Sequence, residues 1–154
     1  MAYEVDIGAE PARPLAAVAA NARMGQIGLV VRPALDKVYA LFGGFSREKM
    51  GQNVIFYPDG GGLMKPEGAT IYCGVEIKIP FEEKNGVVHA QTPAGRTAHA
   101  VHWGSYDGLG GAHGAIHAFA AANGHKITGV NWEVYGDMFE DMSKVRTDVY
   151  YQLA

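Results

Sequence analysis

This chain has little cysteine, no excess of basic residues and no long apolar run. The 154 residues include one cysteine, Cys73, which excludes a disulfide framework and any site built on several thiolates. The 13 basic residues are outnumbered by 16 acidic ones and form no cluster, so direct binding to nucleic acid is not expected. No apolar run approaches the roughly 18 residues of a membrane span, and the start lacks the basic and hydrophobic segments of a signal peptide. We therefore expect a cytoplasmic protein without membrane association.

No Pro/Ser-rich linker and no block of like charge divides the chain, so we expect one domain spanning residues 1–154. Hydrophobic residues make up 48% and charged residues 19% of the sequence, which is the balance of an ordinary globular domain and excludes extensive disorder. A chain of this length can bury a substantial core without disulfides or metal ions.

A weak internal repeat divides the chain into halves at about residues 1–80 and 81–154. In each half a Pro-containing segment leads into a strand-like segment, and a Tyr-containing segment follows later. The matched segments are Leu15–Ala22 with Thr97–Trp103 and Ile55–Asp59 with Glu133–Asp137. Similarity at this scale indicates two copies of one supersecondary unit.

Each half is predicted to fold as β-α-β-β behind an extended lead-in strand. Apolar residues recur every three or four positions from Ile27 to Phe42 and from Leu109 to Ala120, which is the spacing of an amphipathic helix. Apolar, β-branched and aromatic runs bounded by turn residues predict the strands. These are Leu15–Ala22, Asn53–Tyr57, Ala69–Ile77, Thr97–Trp103, Val130–Tyr135 and Thr147–Leu153, with lead-ins at Tyr3–Ile7 and Val87–Gln91. The order predicts an α+β fold, in which an antiparallel sheet carries both helices on one face.

Glu133 is the residue that most suggests a binding function, because a carboxylate is unfavourable in the middle of a strand. Strand alternation places Glu133 and Tyr135 on one face and Trp132 and Val134 on the other. Since Trp132 and Val134 are the apolar pair, we expect them to pack against the helices, which leaves Glu133 on the free face of the sheet. Two interpretations remain open: a solvated surface glutamate, or the floor of an aromatic cleft where a desolvated carboxylate selects cations.

Metal, cofactor and nucleophile sites are not predicted. His113 and His117 have the i,i+4 spacing that can hold a metal ion from one helix face, but no Glu lies between them, so both are interpreted as packed or surface histidines. Cys73 lies inside a predicted strand and is interpreted as a core residue. The run Gly60–Gly62 lacks the Lys-Ser/Thr ending of a phosphate-binding loop and is interpreted as a flexible turn. The Gly-x-Ser-x-Gly motif of serine hydrolases is absent from the sequence.

Several spaced motifs in the second half resemble the GyrI-like family, also described as the effector-binding domain of AraC-type and BmrR-type regulators. Residues 92–109 follow its pattern of Pro-Ala-Gly, a strand and Gly-Pro-Tyr-Asp-x-Leu, with Ser105 in place of the second proline. Trp132–Tyr135 resembles its Glu-x-Tyr strand, and Arg146–Tyr150 resembles its closing Arg-Thr-Glu-Ile-Tyr strand. The similarity is good over residues 86–154 and looser over residues 1–80.

The resemblance implies two units related by a pseudo-twofold axis, forming a curved sheet with a ligand groove between the halves. It also implies that Glu133 is the pocket carboxylate and Tyr135 its aromatic neighbour. Members of the family bind bulky lipophilic cations, often drugs or dyes, and many lie behind a DNA-binding helix-turn-helix. Because no such module fits before Tyr3, a stand-alone form is expected. The SOUL haem-binding proteins are a weaker structural resemblance, and no cofactor is expected.

Three functions follow as hypotheses. In the first, which is favoured, the protein binds aromatic cationic small molecules through the charge of Glu133. The other ligand-binding residues would provide stacking or apolar surface, and they are Tyr135, Tyr57, Tyr72, Trp103 and Ile55. In the second, Glu133 acts as general base with Tyr135 and Trp132, and the protein hydrolyses cyclopropane-bearing toxins. Some stand-alone members of the family resemble hydrolases of this kind. In the third, the domain modulates a larger protein partner, and a homodimer is also compatible with the sequence.

Overall fold

The strands of this protein join one antiparallel sheet. The computed structural model describes residues 3–154, and its main elements are β1 (Val5–Glu10), β2 (Pro14–Ala22), α1 (Ile27–Leu41), β3 (Met50–Tyr57), β4 (Ala69–Ile77), β5 (Val87–Gln91), β6 (Gly95–Trp103), α2 (Leu109–Asn123), β7 (Ile127–Tyr135) and β8 (Arg146–Leu153). The eight described strands lie in the order β1-β6-β8-β7-β3-β4-β2-β5, and the sheet is curved. This architecture confirms the predicted α+β fold.

The strand order confirms the tandem β-α-β-β arrangement. The elements β2-α1-β3-β4 of the first half correspond to β6-α2-β7-β8 of the second, and the two sets lie on either side of the central β3–β7 pair. The lead-in strands cross over: β1 pairs with β6 and β5 pairs with β2, so each half provides the outermost strand of the other. In the central pair Ile55 lies directly opposite Glu133. Because the internal repeat aligns the same two residues, the pseudo-twofold axis passes between them.

Both helices pack on the same face of the sheet and leave its centre uncovered. α1 buries Ala34 and Val38 and packs on β2 and β4, whereas α2 buries Ala112 and Ile116 and packs on β6 and β8. The spacing of these residues by three or four positions is what gives each helix one apolar face. The central strands β3 and β7 therefore form the floor of a groove between the helices. Within residues 3–154, neither helix has the length and apolar character needed to cross a bilayer.

The face of the sheet opposite the helices carries a second core, rich in aromatic rings. Trp132 is fully buried there, with its ring stacked on Tyr150 at 5.6 Å and edge-on to Phe56 at 6.5 Å between ring centroids. Leu15 and Val134 belong to the same cluster, every member of which comes from a strand. Curvature of the sheet brings these side chains together. Both faces of β7 are therefore buried.

Candidate functional site

A cavity of about 540 Å³ lies in the groove between the two helices. Its walls come from the start of α1, the turn after β3, the first half of α2, and strands β7 and β8. Apolar side chains such as Ile27, Leu63 and Leu109 form much of the surface. Among the described residues that line it, Glu133 is the single carboxylate, and none is Lys or Arg. The size and the mainly apolar lining are those of a pocket for a small organic molecule.

Glu133 lies at the floor of this cavity, where it is almost completely buried, with 4% of the residue exposed. Its Oε1 accepts hydrogen bonds from the phenolic O–H groups of Tyr57 at 3.0 Å and Tyr135 at 2.6 Å. Its Oε2 lies 2.6 Å from Nε2 of His113 on α2. A buried carboxylate needs such donors, because burial without them costs several kcal/mol, in the range of about 2–7 even for a neutral polar group. The sheet thus presents Glu133 to the helices with three donors around it.

His113 connects Glu133 to a further residue, Tyr151 of β8. Its Nδ1 lies 2.6 Å from the hydroxyl oxygen of Tyr151. With a neutral imidazole, the Nε2–H donates to Glu133 and the Tyr151 O–H donates to Nδ1, so each proton in the chain has an acceptor. The carboxylate is then surrounded by dipoles alone, and the wall of the cavity carries one formal negative charge.

The three tyrosines of this network act as hydrogen-bond donors. Burial, reinforced by the negative charge of Glu133, raises the pKa of Tyr57, Tyr135 and Tyr151 above its ordinary value. Their phenols therefore remain protonated throughout the neutral pH range. Tyr57 and Tyr135 hold the carboxylate directly, and Tyr151 holds it through His113. The rings of Tyr57 and Tyr151 also line the cavity.

The turn after β3 closes one end of the cavity. Its Gly60 donates a backbone N–H to the carbonyl of Gly129 on β7 at 3.0 Å, and Leu63 accepts from the backbone N–H of Met24 at 2.9 Å. A Cβ atom on Gly60 would come within 2.9 Å of the Gly129 carbonyl oxygen and of Asn131 Nδ2, so this close approach requires glycine. The run Gly60–Gly62 is thus a turn, as predicted, but it is also a wall of the pocket.

The structure corrects the predicted direction of Glu133. Glu133 and Tyr135 point to the helix side of the sheet, where His113 of α2 contacts the carboxylate, and not to a free face. The prediction is wrong because the apolar residues of β7, Trp132 and Val134, do not pack against the helices. They pack in the strand-only core on the other side of the sheet. Of the interpretations left open, the solvated surface glutamate is excluded by the burial of Glu133.

The structure brings some of the predicted site residues together with Glu133. Tyr57 lines the cavity, and Tyr135 reaches the same carboxylate oxygen from the far end of β7. Ile55 is buried directly opposite Glu133 in the central strand pair and packs in the core below α1. The two tyrosines therefore support the carboxylate from both sides of the pseudo-twofold axis, and Ile55 marks the position related to Glu133.

Tyr72, Trp103 and Trp132 lie elsewhere, because alternation puts them on the opposite face of the sheet. Tyr72 stacks on Phe56 at 6.1 Å between ring centroids, within the aromatic core. Trp103 is 57% exposed at the end of β6, under the guanidinium of Arg146. The indole of Trp132 faces away from Glu133, so the catalytic set of Glu133, Tyr135 and Trp132 does not converge on one space. For these residues the sheet itself separates the side chain from the cavity.

Two members of the network, His113 and Tyr151, are not predicted from the sequence. The i,i+4 spacing of His113 and His117 does place both on the cavity side of α2, but the sequence favours packed or surface histidines and gives them no role at the site. Within residues 3–154, no group of three or more His, Cys, Asp or Glu side chains is arranged to hold a metal ion. Tyr151 alternates with Val149 and Leu153 on the helix-facing side of β8, which is the signal that could have placed it here.

Three solved structures show how widely this fold is shared. The C-terminal domain of EcmrR is 15% identical, with a TM-score of 0.79, over 100% of this chain and 99% of that one. A hydrolase encoded by lin2189 from Listeria innocua is 12% identical, with a TM-score of 0.66, over 99% and 93%. SAV2435 bound to tetraphenylphosphonium is 10% identical, with a TM-score of 0.66, over 98% and 94%. At these identities the likeness establishes the fold alone.

The family is established by the sequence itself. No curated protein sequence matches the chain significantly. The GyrI-like small molecule binding domain, in contrast, matches residues 4–154, which is nearly the whole chain. This protein therefore belongs to the GyrI-like family of small-molecule-binding domains.

Proposed function

We propose that the domain binds bulky aromatic cations, with Glu133 as the group that recognises the charge. The observation that carries this proposal is a buried carboxylate at the floor of a mainly apolar cavity, held by neutral donors and facing no Lys or Arg among the described lining residues. Such a carboxylate is poorly hydrated, so a cation placed beside it gains more than it would in water. A neutral guest gains only apolar contact, and an anion is repelled.

The rings around the cavity favour the same class of ligand. Tyr57 and Tyr151 both line it, close to Glu133. A cation over an aromatic face is stabilised by about 0.5–2 kcal/mol, depending on how far it is desolvated. The similarly folded SAV2435 has been solved with tetraphenylphosphonium, a lipophilic cation with four phenyl rings, which makes that compound a suitable probe. Charge and ring contacts together support micromolar affinity, and a dissociation constant of 1 μM corresponds to a binding free energy of about 8.2 kcal/mol.

Titration calorimetry with a charge series tests this proposal. Tetraphenylphosphonium is expected to bind, whereas tetraphenylborate, its anion of nearly the same shape, is not. Glu133→Gln keeps the shape of the site and an acceptor for the tyrosines but removes the charge, so we expect the affinity for the cation to fall by about tenfold or more. Glu67→Gln removes an equal charge from the exposed loop beside the cavity and serves as the control. Equal affinity for cation and anion would overturn the proposal, and so would an unchanged dissociation constant for the cation in Glu133→Gln.

Hydrolysis is the second candidate, and the 2.6 Å contact between His113 and Glu133 is the observation that favours it. Such a pair can take a proton from water, and the resulting hydroxide forms a bond to one carbon of a strained ring. The C–C bond of the ring then breaks with its electron pair on the other carbon, which takes up the proton removed from the water. The test is incubation with a cyclopropane-bearing electrophile. More than one equivalent of ring-opened product per protein, lost in Glu133→Gln, would establish turnover. Stoichiometric binding without product would leave binding as the function.

A further inference from the structure

The two oxygens of Glu133 are held by chemically different partners. Oε1 accepts from Tyr57 and Tyr135, whose raised pKa keeps them neutral donors. Oε2 accepts from His113, at 2.6 Å. Histidine is the side chain whose charge ordinarily changes between about pH 5 and 8. One side of the carboxylate is thus fixed, and the other side faces a group that can become a cation.

Among the residues that the structure describes, Glu133 is the one charged group within hydrogen-bond distance of His113. From β7 it faces Glu133, and from β8 it faces the neutral hydroxyl of Tyr151. One turn further along α2, His117 lines the cavity and packs its ring against Tyr151 at 4.9 Å between centroids. Cys73 of β4 belongs to the core on the helix side and is buried, which raises the pKa of its thiol to about 12, so it stays neutral. Protonation of His113 therefore cancels the charge of Glu133 with an internal ion pair.

We propose that His113 determines the charge selectivity of the pocket by competing with the ligand for Glu133. This inference rests on the proposed function of Glu133 as the cation-recognising group. A neutral His113 donates an N–H to Oε2 but leaves the negative charge of the carboxylate for a lipophilic cation. A protonated His113 neutralises that charge in an ion pair and places a positive charge in the cavity wall, so cationic ligands are released. The ligand class is thereby narrowed to cations that keep their charge at neutral and alkaline pH.

Proton uptake at His113 and cation binding are then mutually exclusive. By linkage, the affinity for the cation rises with pH by up to about tenfold per pH unit where binding expels a full proton, and it is independent of pH where binding expels none. Binding in the sloping range also expels a proton from the protein. Calorimetry in two buffers of different ionisation enthalpy measures that proton directly.

The experiment titrates tetraphenylphosphonium into the wild type, His113→Gln and His117→Gln at several values between about pH 5.5 and 8.5. Gln at position 113 can still donate an N–H to Oε2 but cannot take up a proton. We expect the wild type and His117→Gln to lose affinity on acidification and to release a proton on binding. We expect His113→Gln to bind with nearly constant affinity and to release none. Circular dichroism of each variant confirms that it is folded.

The outcomes separate this inference from the proposed function. An equal pH slope and equal proton release in wild type and His113→Gln overturn the role of His113 while leaving Glu133 as the cation-binding group. A slope that disappears in His117→Gln alone overturns it as well. A wild type that does not bind tetraphenylphosphonium at any pH overturns the proposed function, and this inference with it.

Discussion

Replacing Trp132 with alanine is expected to lower the free energy of unfolding by about 3–5 kcal/mol, the usual cost of truncating a buried aromatic residue. Trp132 is fully buried in the strand-only core, stacked on Tyr150 and edge-on to Phe56. Truncation removes these contacts and leaves a cavity in the core. Urea denaturation followed by circular dichroism measures the loss.

The matched variant Trp132→Phe keeps a ring in the same core and is expected to cost much less. The indole N–H has no hydrogen-bond partner among residues 3–154, so nothing is lost when it is removed. Because the indole lies on the face opposite Glu133, the affinity of folded Trp132→Phe for tetraphenylphosphonium should equal that of the wild type. If Trp132→Ala lowered the free energy of unfolding by less than about 1 kcal/mol, against the roughly 3–5 expected, the described packing would be wrong. If Trp132→Phe bound tetraphenylphosphonium less tightly than the wild type, the indole would belong to the binding site.

Replacing Gly74 with alanine is expected to destabilise the fold by about 3 kcal/mol or more, at the upper end of what overpacking costs. Gly74 lies in the middle of β4, opposite Ala17 of β2. A Cβ atom added there would overlap the carbonyl oxygen of Ala16 and come within 2.6 Å of the Cα of Ala17. These are backbone atoms, so a change of rotamer cannot relieve the overlap, and the two strands would have to separate. Thermal and urea denaturation both report the effect.

Gly114→Ala is the control for this substitution. Gly114 lies inside α2, and a Cβ atom added there would meet no atom within 4 Å. Alanine is favoured over glycine in a helix interior by about 0.5–1 kcal/mol, so this variant should be slightly more stable than the wild type. If Gly74→Ala were as well tolerated as Gly114→Ala, the close approach of β2 and β4 would be wrong.

Local pattern was sufficient to predict most elements of the fold. The strands Ala69–Ile77 and Val87–Gln91 begin and end where the alternating and β-branched runs do, and the helical spacing from Leu109 to Ala120 lies inside α2. The internal repeat aligns Ile55 with Glu133, and the structure pairs these two residues across β3 and β7. Periodicity and repetition can both be recognised in the sequence without knowledge of tertiary contacts.

The direction of Glu133 could not be obtained in the same way. Alternation separates the two faces of β7 but does not say which face the helices cover, and here both faces are buried. Glu133 is accommodated on the helix side because Tyr57, His113 and Tyr135 each provide a donor there. Two of these donors come from other elements, so the compensation for burying a carboxylate is a tertiary property. The same reason explains why His113 was interpreted as an ordinary packed residue.

The crossed lead-in strands have a consequence for the single acidic group beside the symmetry axis. Each half of the chain completes the outer edge of the other, as in a dimer whose subunits have exchanged a terminal strand. In a true dimer of identical subunits, both residues on the axis would be the same, and two glutamates facing each other across neighbouring strands would repel. Two halves of one polypeptide are free of that constraint, because the paired residues Ile55 and Glu133 need not be identical. A single chain thus permits an asymmetric, singly charged centre, which a homodimer of either half could not have.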